Sequence, residues 1–234
     1  MKPIHVFLRQ CYYSPNSALP NRHRPDWFDK EKIFNNFKKT IDTNLADYTI
    51  VYDEKYGSIK DTFLKDEQNV EIVNFGYEAG SFSRTVDIAL EKGLSNDTVV
   101  YFLEDDYLHR PGWCKILLEG FTLPTQYISL YDHLDKYLDG GYDTLVSKIL
   151  ISESIHWRTT PSTCNTYATK IQTLIEDYSI HKHYSDASPD GVSMDHAKFV
   201  HLGNNGKRLI TSIPGYSTHC DHLQSPTIDW KTYL

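Results

Sequence analysis

The sequence predicts an α/β protein, a single α/β/α sandwich with a mostly parallel central sheet and a small antiparallel addition. Three observations carry this. Strand-like and helix-like segments alternate through the first half of the chain, which is the pattern of a sheet wrapped by helices. Thr98-Val99-Val100-Tyr101-Phe102-Leu103 is an unbroken run of β-branched, aromatic and aliphatic residues, as in a strand buried on both faces. The 234 residues contain no internal repeat and no low-complexity linker, and that length suits one substantial core.

In chain order, residues 4–9 form a first short strand. It ends in Gln10-Cys11-Tyr12-Tyr13-Ser14-Pro15-Asn16, a polar and aromatic loop of the kind that meets ligands beyond a strand. Residues 21–25 make a basic, Pro-flanked loop. Asp26 caps a helix starting at Trp27, with Ile33, Phe34 and Phe37 on one face and lysines on the other. Residues 48–52 form a second strand that closes in Asp53-Glu54, a short helix spans 59–65, and residues 70–73 form a third strand. In the segment from Asn74 to Arg84, Gly76 and Gly80 allow close backbone approach. Ser81 or Ser83 caps the helix that carries Val86, Ile88, Ala89 and Leu90. A helix N-terminus beside Arg84 suits a phosphate, although a plain strand-to-helix turn explains these glycines equally well.

After the central strand, a helix at 113–119 leads to a strand at 126–131. The alternation then lapses. Residues 145–152 and 155–160 read as hairpin strands. Ser162-Thr163 caps a helix running through Tyr167, Ile171, Leu174 and Ile175. Ser188-Pro189-Asp190 opens a short helix holding Asp195 and His196, and Leu209-Ile210 is the last strand.

The formal net charge of −7 argues against a nucleic-acid binder. No apolar run reaches the roughly eighteen residues a membrane span needs, and the N-terminal residues lack a secretory core. Cys11, Cys114, Cys164 and Cys220 form no C-x-x-C pair, so the expected setting is a reduced cytoplasm.

The central strand runs into Glu104-Asp105-Asp106, at the end of the sheet where open α/β folds bind ligands. Three adjacent carboxylates repel unless something positive lies among them, and a divalent metal is a common answer. A helix cap or solvated turn is the alternative. His219 or His222, with Asp221 between them, offers an imidazole, and imidazole with carboxylate suits Mn²⁺ better than Ca²⁺. Asp195, if partly buried, can serve as a general base towards a hydroxyl; an ordinary surface Asp is the other reading. His156-Trp157-Arg158 offers ring stacking and a phosphate grip, unless Trp157 belongs to the core and Arg158 faces water.

These features resemble the nucleotide-sugar glycosyltransferases of the GT-A fold, whose D-x-D motif binds a divalent metal. Here the motif reads Glu104-Asp105-Asp106, with Glu in place of the first Asp, so the resemblance puts the metal on Asp106. Asn74-Phe75-Gly76 followed by Arg84 is similar to the N-x-G…R segment of family-2-like members. Asp53 matches the acid that contacts the nucleoside, and His219 matches the late histidine metal ligand. Asp195 falls where inverting members carry their base, with Met194-Asp195 in place of the usual Glu-Asp pair. The L-E-D-D-Y, S-T-C-x-T and terminal S-T-H…D-W patterns are similar to those of small bacterial and algal-virus enzymes.

The resemblance implies a donor linked to UDP or GDP, with Tyr12, Tyr13 and Asp53 on the base and ribose. Arg9, Gly80, Arg84, Glu104, Asp105, Trp157 and Arg158 complete the donor-binding set. It further implies Mn²⁺ or Mg²⁺ on Asp106 and His219, and an inverting transfer to an acceptor hydroxyl with Asp195 as base. Residues 1–106 would form the nucleotide-binding half and 107–234 the acceptor-binding half. Two rivals remain: a phosphohydrolase using Glu104, Asp105, Asp106, His219 and His222 around one or two ions, and a non-catalytic carbohydrate-binding module.

Overall fold

The computed structural model describes residues 2–14, 23–186 and 191–234. Pro15, Asn16 and Asn21 and the expected helix start at Ser188-Pro189-Asp190 lie outside the described residues.

Strands β1 (Ile4–Cys11), β2 (Ala46–Asp53), β3 (Val70–Val73) and β4 (Val99–Leu103) lie parallel in the order β3-β2-β1-β4. The sheet continues through β9 (Tyr167–Lys170), β6 (Tyr127–Ser129), β10 (Leu209–Ile213), β8 (His156–Thr159) and β7 (Ile149–Ile151). Only β9 and β8 run against the others among these strands. A separate two-stranded antiparallel sheet joins β5 (Tyr107–His109) to β11 (Ser217–His219). The fold is therefore the expected mixed α/β sandwich.

Alternation explains the unbroken apolar run of β4. Successive side chains leave a strand on opposite faces, so Tyr101 and Leu103 enter one core while Val100 and Phe102 enter the other. Helices α1 (Lys30–Thr40) and α3 (Trp113–Gly120) cover the first face through Phe34, Phe37, Trp113 and Leu117. The second face is covered by α2 (Glu78–Glu91), α4 (Ile171–Glu176) and α6 (Asp195–Asn204), through Phe82, Val86, Leu174 and Phe199.

Several local expectations fail for identifiable reasons. The cap of α1 is Asp29, whose Oδ1 accepts from the Lys32 N–H at 3.0 Å, because residues 25–28 are taken up by a turn closed by the Phe28 N–H on Pro25 O. Residues 59–65 supply a single short 3₁₀ turn at Ile59–Asp61. Helix α2 begins at Glu78 with Tyr77 at its cap, so Ser81 and Ser83 are interior. The largest correction is Tyr167, placed by its spacing on a helix. Tyr167–Lys170 is a central strand between β4 and β6, and the helix starts only at Ile171. Its aromatic and β-branched residues fill the gap between two strands, which local helical periodicity does not register. A further helix, α5 (Tyr178–Asp186), follows unpredicted.

Phe102 lies fully buried between Phe82 and Tyr167, with ring centroids 5.5 and 5.4 Å away. Phe102→Ala is expected to lower unfolding free energy in urea by about 3–5 kcal/mol; a loss under about 1 kcal/mol would contradict this packing.

Candidate functional site

A cleft opens where β1, β2 and β4 end and α2 begins, the position at which parallel strands present their C-terminal ends to ligands. Arg9, Gln10 and Cys11 from β1, Asp53 from β2, Glu104, Asp105 and Asp106 after β4, and Glu78 and Ser81 from α2 line it.

Each acid of the triplet meets a different protein cation. Glu104 Oε1 accepts from Arg9 Nη2 at 2.9 Å, and its Oε2 accepts from Thr166 Oγ1 at 3.1 Å. Asp105 Oδ2 lies 2.5 Å from Lys30 Nζ, which also donates to Cys11 O at 2.9 Å. Asp106 Oδ2 lies 2.6 Å from Arg24 Nη2 and 2.9 Å from His219 Nε2. The His219 Nδ1 lies 2.6 Å from Asp221 Oδ2. Burial alone would raise the Asp106 carboxyl, but His219 and Arg24 hold it well below the usual carboxylate range. Burial opposes the imidazolium too, yet Asp106 and Asp221 hold His219 up at about 10. Glu104 goes the other way: burial, with Asp106 and Glu78 nearby, raises it despite Arg9.

A second network flanks the first. Arg9 Nη1 pairs with Glu78 Oε1 at 3.0 Å. Glu78 also accepts from Asn165 Nδ2 at 2.9 Å and from the Ser193 N–H at 2.7 Å. Asn165 Oδ1 accepts in turn from Lys198 Nζ. Lys198 has no exposed surface; its ammonium lies 4.5 Å from the Phe82 ring centroid and 5.0 Å from that of Tyr167. Asp195, the first residue of α6, lies 3.8 Å from Lys198 Nζ, and its Oδ1 is buried without a hydrogen-bond partner. Burial, with Glu78 and Glu104 adding to it, pushes Asp195 up to about 8 against the pull of Lys198 and Arg9.

The cleft thus gathers Arg9, Tyr13, Asp53, Glu104, Asp105 and Asp106, with His219 on Asp106 and Asp195 in the flanking network. The Asp53 carboxylate is itself engaged by the N–H groups of Lys55, Phe75 and Gly76, at 3.1, 3.2 and 2.9 Å. It therefore shapes the loop before α2. Tyr12 sits over Gly57, where an added Cβ would stand 2.7 Å from its ring, on an adjoining depression.

Besides Tyr12, four expected donor contacts are not in the cleft. Arg84 makes a two-pronged pair with Glu91 on the outer face of α2, at 2.7 and 3.0 Å, since the two residues are two helical turns apart. Gly80 serves packing: an added Cβ would come within 2.6 Å of Phe75 and 2.7 Å of Tyr77. Trp157 is core, donating to Ser152 Oγ at 2.8 Å, and Arg158 is buried on Asp132 at 2.9 Å. His222 rests edge-on against His23, outside the Asp106 cluster. Among the described residues no three His, Cys, Asp or Glu side chains converge as an ion cage.

Sequence reasoning missed Arg24, Lys30, Glu78, Asn165 and Lys198. Only Arg24 had a signal, its place in the basic loop before α1.

No protein-family model matches the chain, and no curated protein matches it. Solved structures do. A CMP:2-keto-3-deoxy-manno-octonic acid synthetase complexed with CTP is similar at 14% identity and TM-score 0.52, over 92% of each chain. A 4-diphosphocytidyl-2C-methyl-D-erythritol synthase from Anaerococcus prevotii is similar at 11% identity and TM-score 0.50, over 99% of this chain and 94% of that one. S. aureus TarS 1–349 is 11% identical at TM-score 0.48, over 93% of this chain and 60% of that one, too distant to carry argument. The first two likenesses establish the fold. No helix among the described residues is long and apolar enough to cross a membrane.

Arg9→Gln would leave Glu78 and Glu104 without their shared cation. The expected loss is about 3–5 kcal/mol of stability at neutral pH. It should shrink as pH falls towards the carboxyl range, because protonated acids need no counter-charge. Arg84→Ala should leave the urea midpoint unchanged. Equal effects of the two substitutions would contradict the assignment.

Proposed function

We propose that the chain is a GT-A-type glycosyltransferase that moves a sugar from a nucleoside-diphosphate donor to an acceptor hydroxyl with inversion. The observation that carries this reading is the polar cleft at the ends of β1, β2 and β4. Its acid triplet is balanced by cations, and a recessed carboxylate lies alongside. The named neighbour complexed with CTP is similar in fold, and a nucleotide in this chain's cleft is part of the proposal. The donor is UDP- or GDP-linked, and the second half of the chain faces the acceptor.

Tyr13, half exposed and edge-on to Tyr56 at 5.8 Å, is placed to meet the base. Asp195 takes the acceptor proton as the hydroxyl oxygen attacks the anomeric carbon from the face opposite the leaving group. The bond from that carbon to the phosphate oxygen breaks, and its electron pair leaves with the diphosphate. Recessed and held near 8, Asp195 is a stronger base than an exposed carboxylate, which suits it to this proton transfer. Mn²⁺ or Mg²⁺ on Asp106 and His219 is part of the proposal: the buried Oδ1 of Asp106 has no partner, and His219 would give up a proton to serve as a ligand. Such an ion, when bound, neutralises diphosphate charge.

The phosphohydrolase reading keeps only Asp106 and His219 of its five ligands, because Glu104 and Asp105 are paired with Arg9 and Lys30 and His222 lies elsewhere.

Titration calorimetry with UDP and GDP, with and without Mn²⁺, tests the reading. One nucleotide should bind the wild type in a metal-dependent way, and Asp106→Ala should abolish that binding. No binding of either nucleotide under any condition would sink the proposal. For the base, kcat/KM with the matching donor should climb with pH, reach half its plateau near pH 8 and level off above that, since Asp195 must first lose its proton. Lys198→Met removes the cation that favours the carboxylate, so this limb should move to higher pH. Asp195→Asn should reduce turnover by roughly 10²–10⁴ while the nucleotide still binds.

A further inference from the structure

Glu104 and Asp105 are answered by cations on regular elements, Arg9 on β1 and Lys30 on α1. Asp106 is answered from a loop. Arg24 precedes α1, its guanidinium stacked 4.5 Å from the Phe28 ring centroid. Its Nη2 lies 2.6 Å from Asp106 Oδ2, and its Nη1 donates to Cys220 O at 2.9 Å and stands 3.5 Å from His219 Nε2. The guanidinium therefore touches both residues assigned above to a divalent ion.

The pair is not saturated. Both N–H contacts fall on Oδ2 of Asp106, while its Oδ1 and Arg24 Nε are buried without partners. A purely structural ion pair is more commonly closed by a second hydrogen bond. Arginine cannot shed its charge. A divalent ion on Asp106 and His219 would face that fixed positive charge in a site with little water, where like charges repel most strongly.

We propose that Arg24 is a resident counter-cation at the Asp106–His219 site, which a divalent ion must displace, and that the displaced guanidinium becomes a ligand for the donor's phosphates. The inference rests on the donor-cleft reading given above. Arg24 stands outside any strand or helix, whereas Arg9 lies within β1 and Lys30 opens α1. A guanidinium is also better suited than an ammonium to grip two phosphate oxygens at once.

The test is direct Mn²⁺ binding, followed by the electron paramagnetic resonance of free Mn²⁺, on full-chain wild type, Arg24→Gln and Arg24→Lys, with circular dichroism melts on each. Removing the competing charge should tighten Mn²⁺ binding about tenfold in Arg24→Gln, while Arg24→Lys, which keeps the charge, stays near wild type. UDP and GDP affinity at saturating Mn²⁺ should move oppositely, weakening about tenfold in Arg24→Gln. Mn²⁺ affinity in Arg24→Gln equal to or weaker than wild type, including no binding in either, would overturn the inference. So would an equal gain in both variants. Should Arg24→Gln fail to fold, Arg24→Lys decides through the nucleotide: a loss there, with Mn²⁺ affinity kept, supports the phosphate role, and no loss overturns it. Absence of nucleotide binding in every protein would instead defeat the donor-cleft reading, a result separable from the Mn²⁺ comparison.

Discussion

Three carboxylates in a row at the end of a buried strand are the constraint on which the rest of this structure depends. Left alone, Glu104, Asp105 and Asp106 would repel one another in a place that water reaches poorly. Arg9, Lys30 and Arg24, with His219, meet them one by one from the neighbouring strand, the following helix and the loop before it. This requirement fixes Arg24 and the start of α1 against the end of the sheet. It also draws the late strand β11, which carries His219, beside β5 just after the triplet. The charges that hold the fold together are thus the same ones that shape the cleft.

The arrangement changes the physical meaning of the acid triplet. A metal is one way to neutralise clustered acids, and this chain also supplies protein cations for the purpose. The consequence differs by residue. Glu104 and Asp105 are tied to cations on regular elements and act as fixed walls. Asp106 keeps an unpartnered oxygen and a loop-borne partner, so it is the acid whose surroundings can change when a ligand arrives. On the flank, Lys198 is buried among aromatic rings beside Asp195, which couples the acidity of that carboxylate to the packing of α6 on the second core.

Much of this is legible in the sequence, and the failures have physical causes. The central strand and its acid terminus can be read because an unbroken apolar run has few other uses. Strand β9 cannot, since four residues pass directly into a helix with no turn residue between them. Arg84 looks like a ligand contact because sequence shows that a cation is near a helix start but not which way it points; it faces Glu91. Trp157 and Arg158 suit the interior as well as a ligand, and the interior claims both. The charged partners of the acid triplet are 75 to 113 residues away from it in the chain, and contacts of that span leave no local pattern.

The most direct test of the account is a crystal structure of the protein soaked with UDP and GDP in turn, in the presence of Mn²⁺. The account predicts nucleotide density in the cleft at the ends of β1, β2 and β4. The diphosphate should lie beside Asp106 and the base near Tyr13. Well-ordered nucleotide bound elsewhere, with Arg24 still seated on Asp106 and the cleft empty, would contradict it.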